Sequence, residues 1–365
     1  MQPSHLYIHI PFCAVRCDYC DFYSTAEGIG RAAAYVETLL AELECLNLGP
    51  GSLDTVYLGG GTPTLIGAGL LEKIMTALAG SLRLRAEVTI EANPSTVTHE
   101  LADRLRSIGV NRVSLGVQSF DPRLRKNLGR TGETGAIFKA MESLRESGFE
   151  NVGIDLIFAI PGQEAVELES DIRQALSLRP EHISWYELSV VDGSAYALEW
   201  GQQLGHAREN GPEFYRSVSG ALETAGYRWY ETSNYAIPGK ECRHNLSYWR
   251  GEDYLGVGAG AWSTVGLERW RNVEDIDIYI RGKGSQTGSR LREPLGEKEK
   301  TTEKLALGLR MESGLKRDEV VSLIDPGEET LLKARGYLVS EGGRIYLTRA
   351  GRFVANEICV RLLRD

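Results

Sequence analysis

Three cysteines near the start of the chain are the side chains best suited to redox chemistry. Cys13, Cys17 and Cys20 stand in the run Leu6-Tyr-Ile-His-Ile-Pro-Phe-Cys-Ala-Val-Arg-Cys-Asp-Tyr-Cys-Asp-Phe-Tyr23. The spacing is C-x3-C-x2-C, with no fourth cysteine close behind. Thiolates are soft ligands, and a four-iron cluster takes four of them when fully ligated. Three thiolates leave one iron open to a small molecule. Zinc, or a set of buried structural cysteines, is the alternative on spacing alone, although zinc usually takes its ligands in two pairs.

Further polar groups recur where apolar runs end. Gly59-Gly60-Gly61 allows close backbone approach to a ligand, or makes a tight turn. Glu91 ends an apolar run and could accept hydrogen bonds from ribose hydroxyls. Gln118 and Asp155 hold equivalent ends, and Arg130 just beyond could pair with a carboxylate. Such a set suits a nucleoside with an amino-acid tail.

The elements that must position these groups read as repeated βα units. Strands are predicted at Leu6–Ile10, Thr55–Leu58, Glu87–Ile90, Arg112–Val117, Val152–Phe158 and His182–Leu188. Helices are predicted near 31–48, 68–80, 99–108, 134–147 and 165–178. The fold class is therefore α/β, a partial (β/α)6 TIM-like barrel, with its chemistry in the loops at the carboxyl ends of the strands. Gly282 to Ser289 reads as a flexible linker or a hairpin tip. Beyond it, helices near 297–311, 316–322 and 327–335, a hairpin at 337–347 around Gly342-Gly343 and a last helix at 349–363 resemble a winged helix. The expected domains are residues 1–230 for the barrel, 231–290 as a connecting segment and 291–365 as a small α+β unit.

Bulk composition limits the function classes. With 365 residues, 42% apolar and 25% charged, the chain is ordinary for a globular protein. No membrane span or signal peptide is expected. Six cysteines, three of them clustered, fit a reducing compartment, the cytoplasm. The net charge of −9 argues against nucleic-acid binding. Residues 294–365 carry 13 Lys/Arg against 12 Asp/Glu with no basic stripe, so the tail reads as a lid or docking module. Gly256-Val-Gly-Ala-Gly-Ala-Trp262 is a loose G-x-G-x-x-G without a nucleotide-binding helix behind it. Cys45, Cys359, Met75 and Met141 read as helix packing.

Taken together, the chain resembles the radical S-adenosylmethionine (SAM) proteins, with an aromatic, Tyr19, before the last cysteine. More narrowly it is similar to the HemN/HemW branch, the oxygen-independent coproporphyrinogen III oxidases and their heme-chaperone relatives. The resemblance rests on Tyr7-Ile-His-Ile-Pro, Gly59-Gly-Gly-Thr-Pro63, Glu91-Ala-Asn-Pro94, Gly116-Val-Gln-Ser-Phe120 and Asp155-Leu-Ile…Pro161-Gly162. It implies a [4Fe–4S] cluster on Cys13, Cys17 and Cys20. It also implies SAM on the open iron, cleaved by one electron to a 5′-deoxyadenosyl radical. Tyr7, Gly60, Gly61, Thr62, Glu91, Gln118, Arg130 and Asp155 match its SAM-contacting positions.

Two departures separate the chain from the oxidases of that branch. Phe22 stands where they carry a further cysteine, and six residues precede Tyr7 where they have a longer segment. The heme chaperones share both departures. The run Cys242-Arg-His244-Asn-Leu-Ser-Tyr248-Trp249 resembles their H-N-x-x-Y-W motif. It makes His244, Tyr248 and Trp249 candidates for heme contact, against a plain packing role. Cys242 reads as a semi-buried free thiol. The expected function is a heme chaperone that passes heme to an acceptor protein, such as a membrane-bound respiratory component. The alternative is oxidative decarboxylation of coproporphyrinogen III.

Overall fold

The structure is a computed structural model and describes residues 2–130, 132–282 and 290–364. The first half alternates strand and helix: β1 (His5–Ile10), α1 (Ala32–Cys45), β2 (Leu53–Gly60), α2 (Ala68–Leu78), β3 (Leu82–Ala92), α3 (His99–Ser107), β4 (Arg112–Gln118), α4 (Pro122–Asn127), α5 (Gly135–Glu146), β5 (Val152–Phe158), α6 (Ala165–Ser177) and β6 (His182–Glu187). The strands stand in the order β6-β5-β4-β3-β2-β1 and pair in parallel.

Each strand alternates two kinds of side chain, and this sets the character of the interior. In β1, Leu6, Ile8 and Ile10 are fully buried in the main apolar core. The intervening residues are His5, Tyr7 and His9. The same alternation gives Val56 and Leu58 against Thr55 and Tyr57, Val88 and Ile90 against Glu87, Thr89 and Glu91, and Val113 and Leu115 against Arg112 and Ser114. Alternate strand residues face opposite sides of a sheet. The apolar set packs under the helices, where each Leu or Ile contributes roughly 1.5–3 kcal/mol. The polar set lines the lumen. A TIM barrel usually fills that space with Val, Ile and Leu; this one holds hydrogen-bonding groups.

The sheet extends beyond the six expected strands. After β6 comes α7 (Ala195–Thr224), a helix of 30 residues with Pro212 inside it. Then follow β7 (Arg228–Glu231), β8 (Asn234–Ala236), α8 (Arg243–Trp249) and β9 (Leu255–Val257). β8 adds antiparallel to β6, β7 to β8, and β9 pairs in parallel with the far edge at β1. β8 and β9, which fall in the segment 231–290 expected to connect the domains, therefore extend the barrel sheet. Polar turns and the absence of a long apolar run hid these strands.

β10 (Trp262–Val265), β11 (Glu268–Arg271), α9 (Ile276–Arg281) and β12 (Leu291–Pro294) lead to the C-terminal unit. The linker predicted at Gly282–Ser289 lies, after Gly282, outside the described residues. The C-terminal unit comprises α10 (Glu297–Gly308), β13 (Leu315–Lys316), α11 (Pro326–Ala334), β14 (Leu338–Glu341), β15 (Arg344–Leu347), α12 (Arg349–Arg352) and α13 (Ala355–Leu362). It has its own apolar core and a three-stranded antiparallel sheet, β13-β15-β14. The predicted helix at 316–322 is instead a strand and a single 3-10 turn at Val321–Leu323. The last helix breaks at Phe353–Val354. The unit is docked on the barrel by Arg352, which donates to the Trp229 carbonyl at 2.7 Å and stacks 3.7 Å above the Trp229 ring.

Candidate functional site

β1 delivers the chain to the cysteine loop. The loop is pinned at its base by Cys13 N–H donating to Thr25 O (2.9 Å) and Thr25 N–H to Pro11 O (2.8 Å). Phe12 anchors it, 1% exposed and edge-on to Tyr35. Cys20 N–H donates to Cys17 O at 3.1 Å, a tight turn that brings these two together. All three thiols are partly exposed. Burial pushes Cys13 and Cys17 up from the usual thiol range, while the Arg130 guanidinium opposes the rise in both. Among the described residues, no three His, Cys, Asp or Glu side chains converge as they would on a single ion. A [4Fe–4S] cluster asks for something different, because each thiolate takes its own iron. One short loop carrying three thiols under a guanidinium fits that donor set.

The end of β2 closes against this loop. Gly61 N–H donates to Ile10 O (2.9 Å) and Thr62 N–H to Phe12 O (2.7 Å). A Cβ on Gly61 would stand 2.6 Å from the Phe12 carbonyl oxygen, so only glycine fits. Gly60 has φ +113°, and a Cβ there would meet the His9 ring at 2.6 Å. Thr62 Oγ1 lies 3.9 Å from Cys13 Sγ.

Glu91 sits at the end of β3. It accepts from Tyr57 Oη (2.8 Å) and from the Gly60 amide (3.1 Å). Burial first, and then the Asp155 carboxylate, push it up to about 7. Asp155 on β5 accepts from Ser114 Oγ at 3.0 and 3.1 Å and is itself raised by burial. The two acids share the lumen's upper level.

At the end of β4, Gln118 takes a left-handed conformation, φ +66°. That is uncommon for a side chain with a Cβ, and Asp171 on α6 holds the turn. Its carboxylate accepts from Ser119 Oγ (2.7 Å) and Phe120 N–H (2.8 Å). Arg130 then donates to Gln118 Oε1 and, at 2.6 Å, to Gly116 O. Its positive charge reaches Cys13, Cys17 and Asp155.

The sequence reading missed His9. Its Nε2–H donates to Tyr23 O (2.8 Å), and its Nδ1 accepts from Tyr7 Oη (3.0 Å). Burial lowers it to about 4, so it is neutral and fixed in one tautomer. Tyr57, Asp171 and Glu42 were missed too. Glu42 on α1 accepts from Gly258 N–H (2.9 Å), Tyr279 Oη (2.7 Å), Asn272 Nδ2 (2.8 Å) and Arg290 Nη2 (3.0 Å). It thereby fixes the Gly256–Trp262 loop beside the cysteine loop. That glycine run has a structural partner in place of a nucleotide.

His244, expected at a heme contact, is held by protein partners in this structure. His244 is 1% exposed. Its Nδ1 bonds Thr55 Oγ1 (2.7 Å), its Nε2 bonds Tyr248 Oη (2.9 Å), and its ring stacks on Tyr57. Both ring nitrogens are hydrogen-bonded within the protein. Glu87 receives the start of α8 through the amides of Arg243 (3.0 Å) and His244 (2.9 Å). The Cys242 thiol, fully buried, is pushed up to about 12. Tyr248 and Trp249 remain partly exposed, and Trp249 Nε1 has no protein partner.

Comparison with known proteins agrees with this geometry. The radical SAM superfamily profile matches residues 7–175. The heme chaperone HemW of Lactococcus lactis subsp. lactis is 34% identical, over 100% of this chain and 98% of that protein. The heme chaperone HemW of Mycobacterium tuberculosis (strain H37Rv) is 35% identical, over 99% and 95%. Among solved structures, the coproporphyrinogen III oxidase HemN of Escherichia coli, a radical SAM enzyme, superposes with a TM-score of 0.78. That match covers 99% of this chain and 90% of that one at 21% identity, a likeness of fold. A profile over the cysteine loop and the first strands, joined to full-length relatives above 30% identity, decides the family: the chain belongs to the radical SAM superfamily and, within it, to the HemW family.

Proposed function

We propose that this protein binds a [4Fe–4S] cluster, SAM and heme, and hands heme to an acceptor protein. Cys13, Cys17 and Cys20 would hold the cluster. Tyr7, Gly60, Gly61, Thr62, Glu91, Gln118, Arg130 and Asp155 would receive SAM. When bound, the cluster offers SAM an open iron and one electron. The chain's own residues do the positioning. Arg130 presents a cation to a carboxylate, and Glu91 and Asp155 accept from hydroxyls. Neutral His9 locks Tyr7, and Gly60 and Gly61 let backbone approach closely. The observation that carries this reading is the convergence of the thiol loop, the Gly60–Glu91 bond and the Arg130 guanidinium on one lumen end.

The heme assignment rests on full-length similarity to proteins named heme chaperone HemW. We place the porphyrin contact at the Tyr248–Trp249 aromatics rather than at the His244 nitrogens. The acceptor would be a heme-requiring protein, such as a membrane-bound respiratory component, met in the cytoplasm. No helix among the described residues is long and apolar enough to cross a membrane. Residues 1–290 would act as the binding body and 291–365 as a docking module.

An anaerobic titration of the reconstituted protein with heme, with and without SAM, tests this. One heme per chain and no porphyrinogen turnover is the expected result. Conversion of coproporphyrinogen III to protoporphyrinogen would instead make it an oxidase. Phe22, 65% exposed where those enzymes carry a cysteine, favours the chaperone.

A further inference from the structure

An unbroken line of hydrogen bonds crosses the barrel wall at the amino ends of β1 and β2. Glu252 Oε2 bonds His5 Nε2 (2.8 Å), and His5 Nδ1 bonds Thr55 Oγ1 (2.9 Å). Thr55 Oγ1 bonds His244 Nδ1 (2.7 Å), and His244 Nε2 bonds Tyr248 Oη (2.9 Å). The Glu252 side chain is 41% exposed. Thr55 is fully buried, and His244 is 1% exposed. The far end is on the lumen side: the partly exposed Tyr248 ring packs edge-on to His244, whose ring stacks on Tyr57, itself stacked on Tyr7. We propose that Glu252, His5, Thr55, His244 and Tyr248 form a one-proton shuttle between the lumen and the solvent at Glu252.

The direction follows from the donors each group owns. An ionised carboxylate only accepts, and the bond from His5 holds Glu252 below the usual carboxylate range. In the shuttle His5 is the neutral imidazole, donating from Nε2 and accepting at Nδ1. Thr55 donates to His5 and accepts from His244 Nδ1–H. His244 accepts at Nε2 from Tyr248. In one transfer, Tyr248 O–H breaks as His244 Nε2–H forms, and His244 Nδ1–H breaks as a new Thr55 O–H forms. The original Thr55 O–H breaks as His5 Nδ1–H forms, and His5 Nε2–H breaks as Glu252 O–H forms. Tyr248 is refilled by a proton from the lumen, where Glu91 is the carboxyl nearest in electrostatic terms. One proton leaves the lumen, one appears on Glu252, and no electrons move.

The surroundings favour transfer through neutral groups. Burial, His5 and Arg112 hold His244 down to about 3, so it passes a proton by switching tautomer and never becomes a cation. Other polar and charged neighbours are Ser4, 3.4 Å from His5 Nε2, Arg250, 3.8 Å from Glu252, Asp54 near Glu252, Tyr57, stacked on His244, Glu87, bonded to the His244 amide, and Tyr254 and Cys242 near Tyr248. Among the described residues, only Ser4 makes a further side-chain hydrogen bond to a ring nitrogen of the line. The shuttle needs neither cluster nor heme, so its failure and that of the proposed function are separable.

Nitrogen-15 NMR of the ring nitrogens in the full-length protein, without cofactors, tests it. The wild type should hold His244 as the Nδ1–H tautomer. Thr55→Val removes the acceptor for that proton and should reverse it to Nε2–H, while Thr55→Ser should restore it. Glu252→Ala, a surface change, should leave His244 as a mixture. An Nε2–H tautomer in the wild type overturns the proposal. So does a His244 tautomer indifferent to both Thr55→Val and Glu252→Ala. Should Thr55→Val not fold, the wild-type tautomer and Glu252→Ala decide alone.

Discussion

The Gly60 amide donates to Glu91 Oε2 at 3.1 Å, so the glycine run after β2 and the acidic end of β3 are one unit. The second oxygen of Glu91 takes the Tyr57 hydroxyl at 2.8 Å. A ligand that needs this carboxylate must therefore share it with two protein donors or displace one.

Stability should fall as pH rises from about 4.5 to about 7. Glu91 and Glu231 are both raised by burial to about 7. Across that window the folded chain holds protons that the unfolded chain releases, so each step up in pH favours unfolding. The full effect is on the order of a few kcal/mol per group. Urea melts at successive pH values measure it, and Glu91→Gln should flatten its share of the slope. A slope unchanged in Glu91→Gln contradicts the assignment.

Gly60→Ala should damage both fold and site. The residue has φ +113°, and its new methyl would sit 2.6 Å from the His9 ring. Strain of about 1–3 kcal/mol is expected from the backbone alone. A fall in Tm together with weaker SAM binding by calorimetry is the expected pair of results.

His244→Ala should cost stability and leave heme affinity nearly unchanged. It strands Thr55 and Tyr248 and opens space under Tyr57. About 2–5 kcal/mol is expected from lost packing and unpaired polar groups. Heme titration beside a thermal melt separates the two effects. A large loss of heme affinity at unchanged Tm would restore the axial-ligand reading.

Iron loading should accelerate with pH. Burial keeps Cys13 and Cys17 protonated beyond the usual thiol range, and only the thiolate binds metal. Anaerobic reconstitution rates across pH should rise accordingly. Cys13→Ala, Cys17→Ala or Cys20→Ala should each lower iron and acid-labile sulfide, whereas Cys45→Ala should not.

Arg130→Lys should weaken SAM binding by about tenfold, the loss of a forked donor at a carboxylate. In the free protein that fork clamps Gly116 O and Gln118 Oε1, and a single ammonium cannot hold both in plane. Calorimetry on the reconstituted protein reads the change.

The sequence carried more of the barrel than of its contents. β5 was bounded at Val152–Phe158 as observed, because Gly and Pro punctuate both ends. Of the polar partners in those strands, Tyr7 was singled out through the family resemblance, whereas His5 and His9, legible as period-two alternation, were not. β3 begins at Leu82, earlier than predicted, and its start was missed because Arg83, Leu84 and Arg85 are all exposed and give no buried pattern. α7 went unread because its apolar positions are sparse and Pro212 interrupts them. His244 shows what a motif alone leaves out: the atoms it touches on Thr55 lie far away in sequence and come within reach only when α8 packs against β2.

The pairing of β1 with β9 has a consequence for assembly. The chain's first strand keeps a bare edge until roughly 250 residues later its neighbour has been made. Gly258, pressed on His9, and Gly260, pressed on Tyr23, then form the outer wall of the thiol loop. A chain released before residue 257 would therefore fold, if at all, with one flank of its cysteines open to solvent.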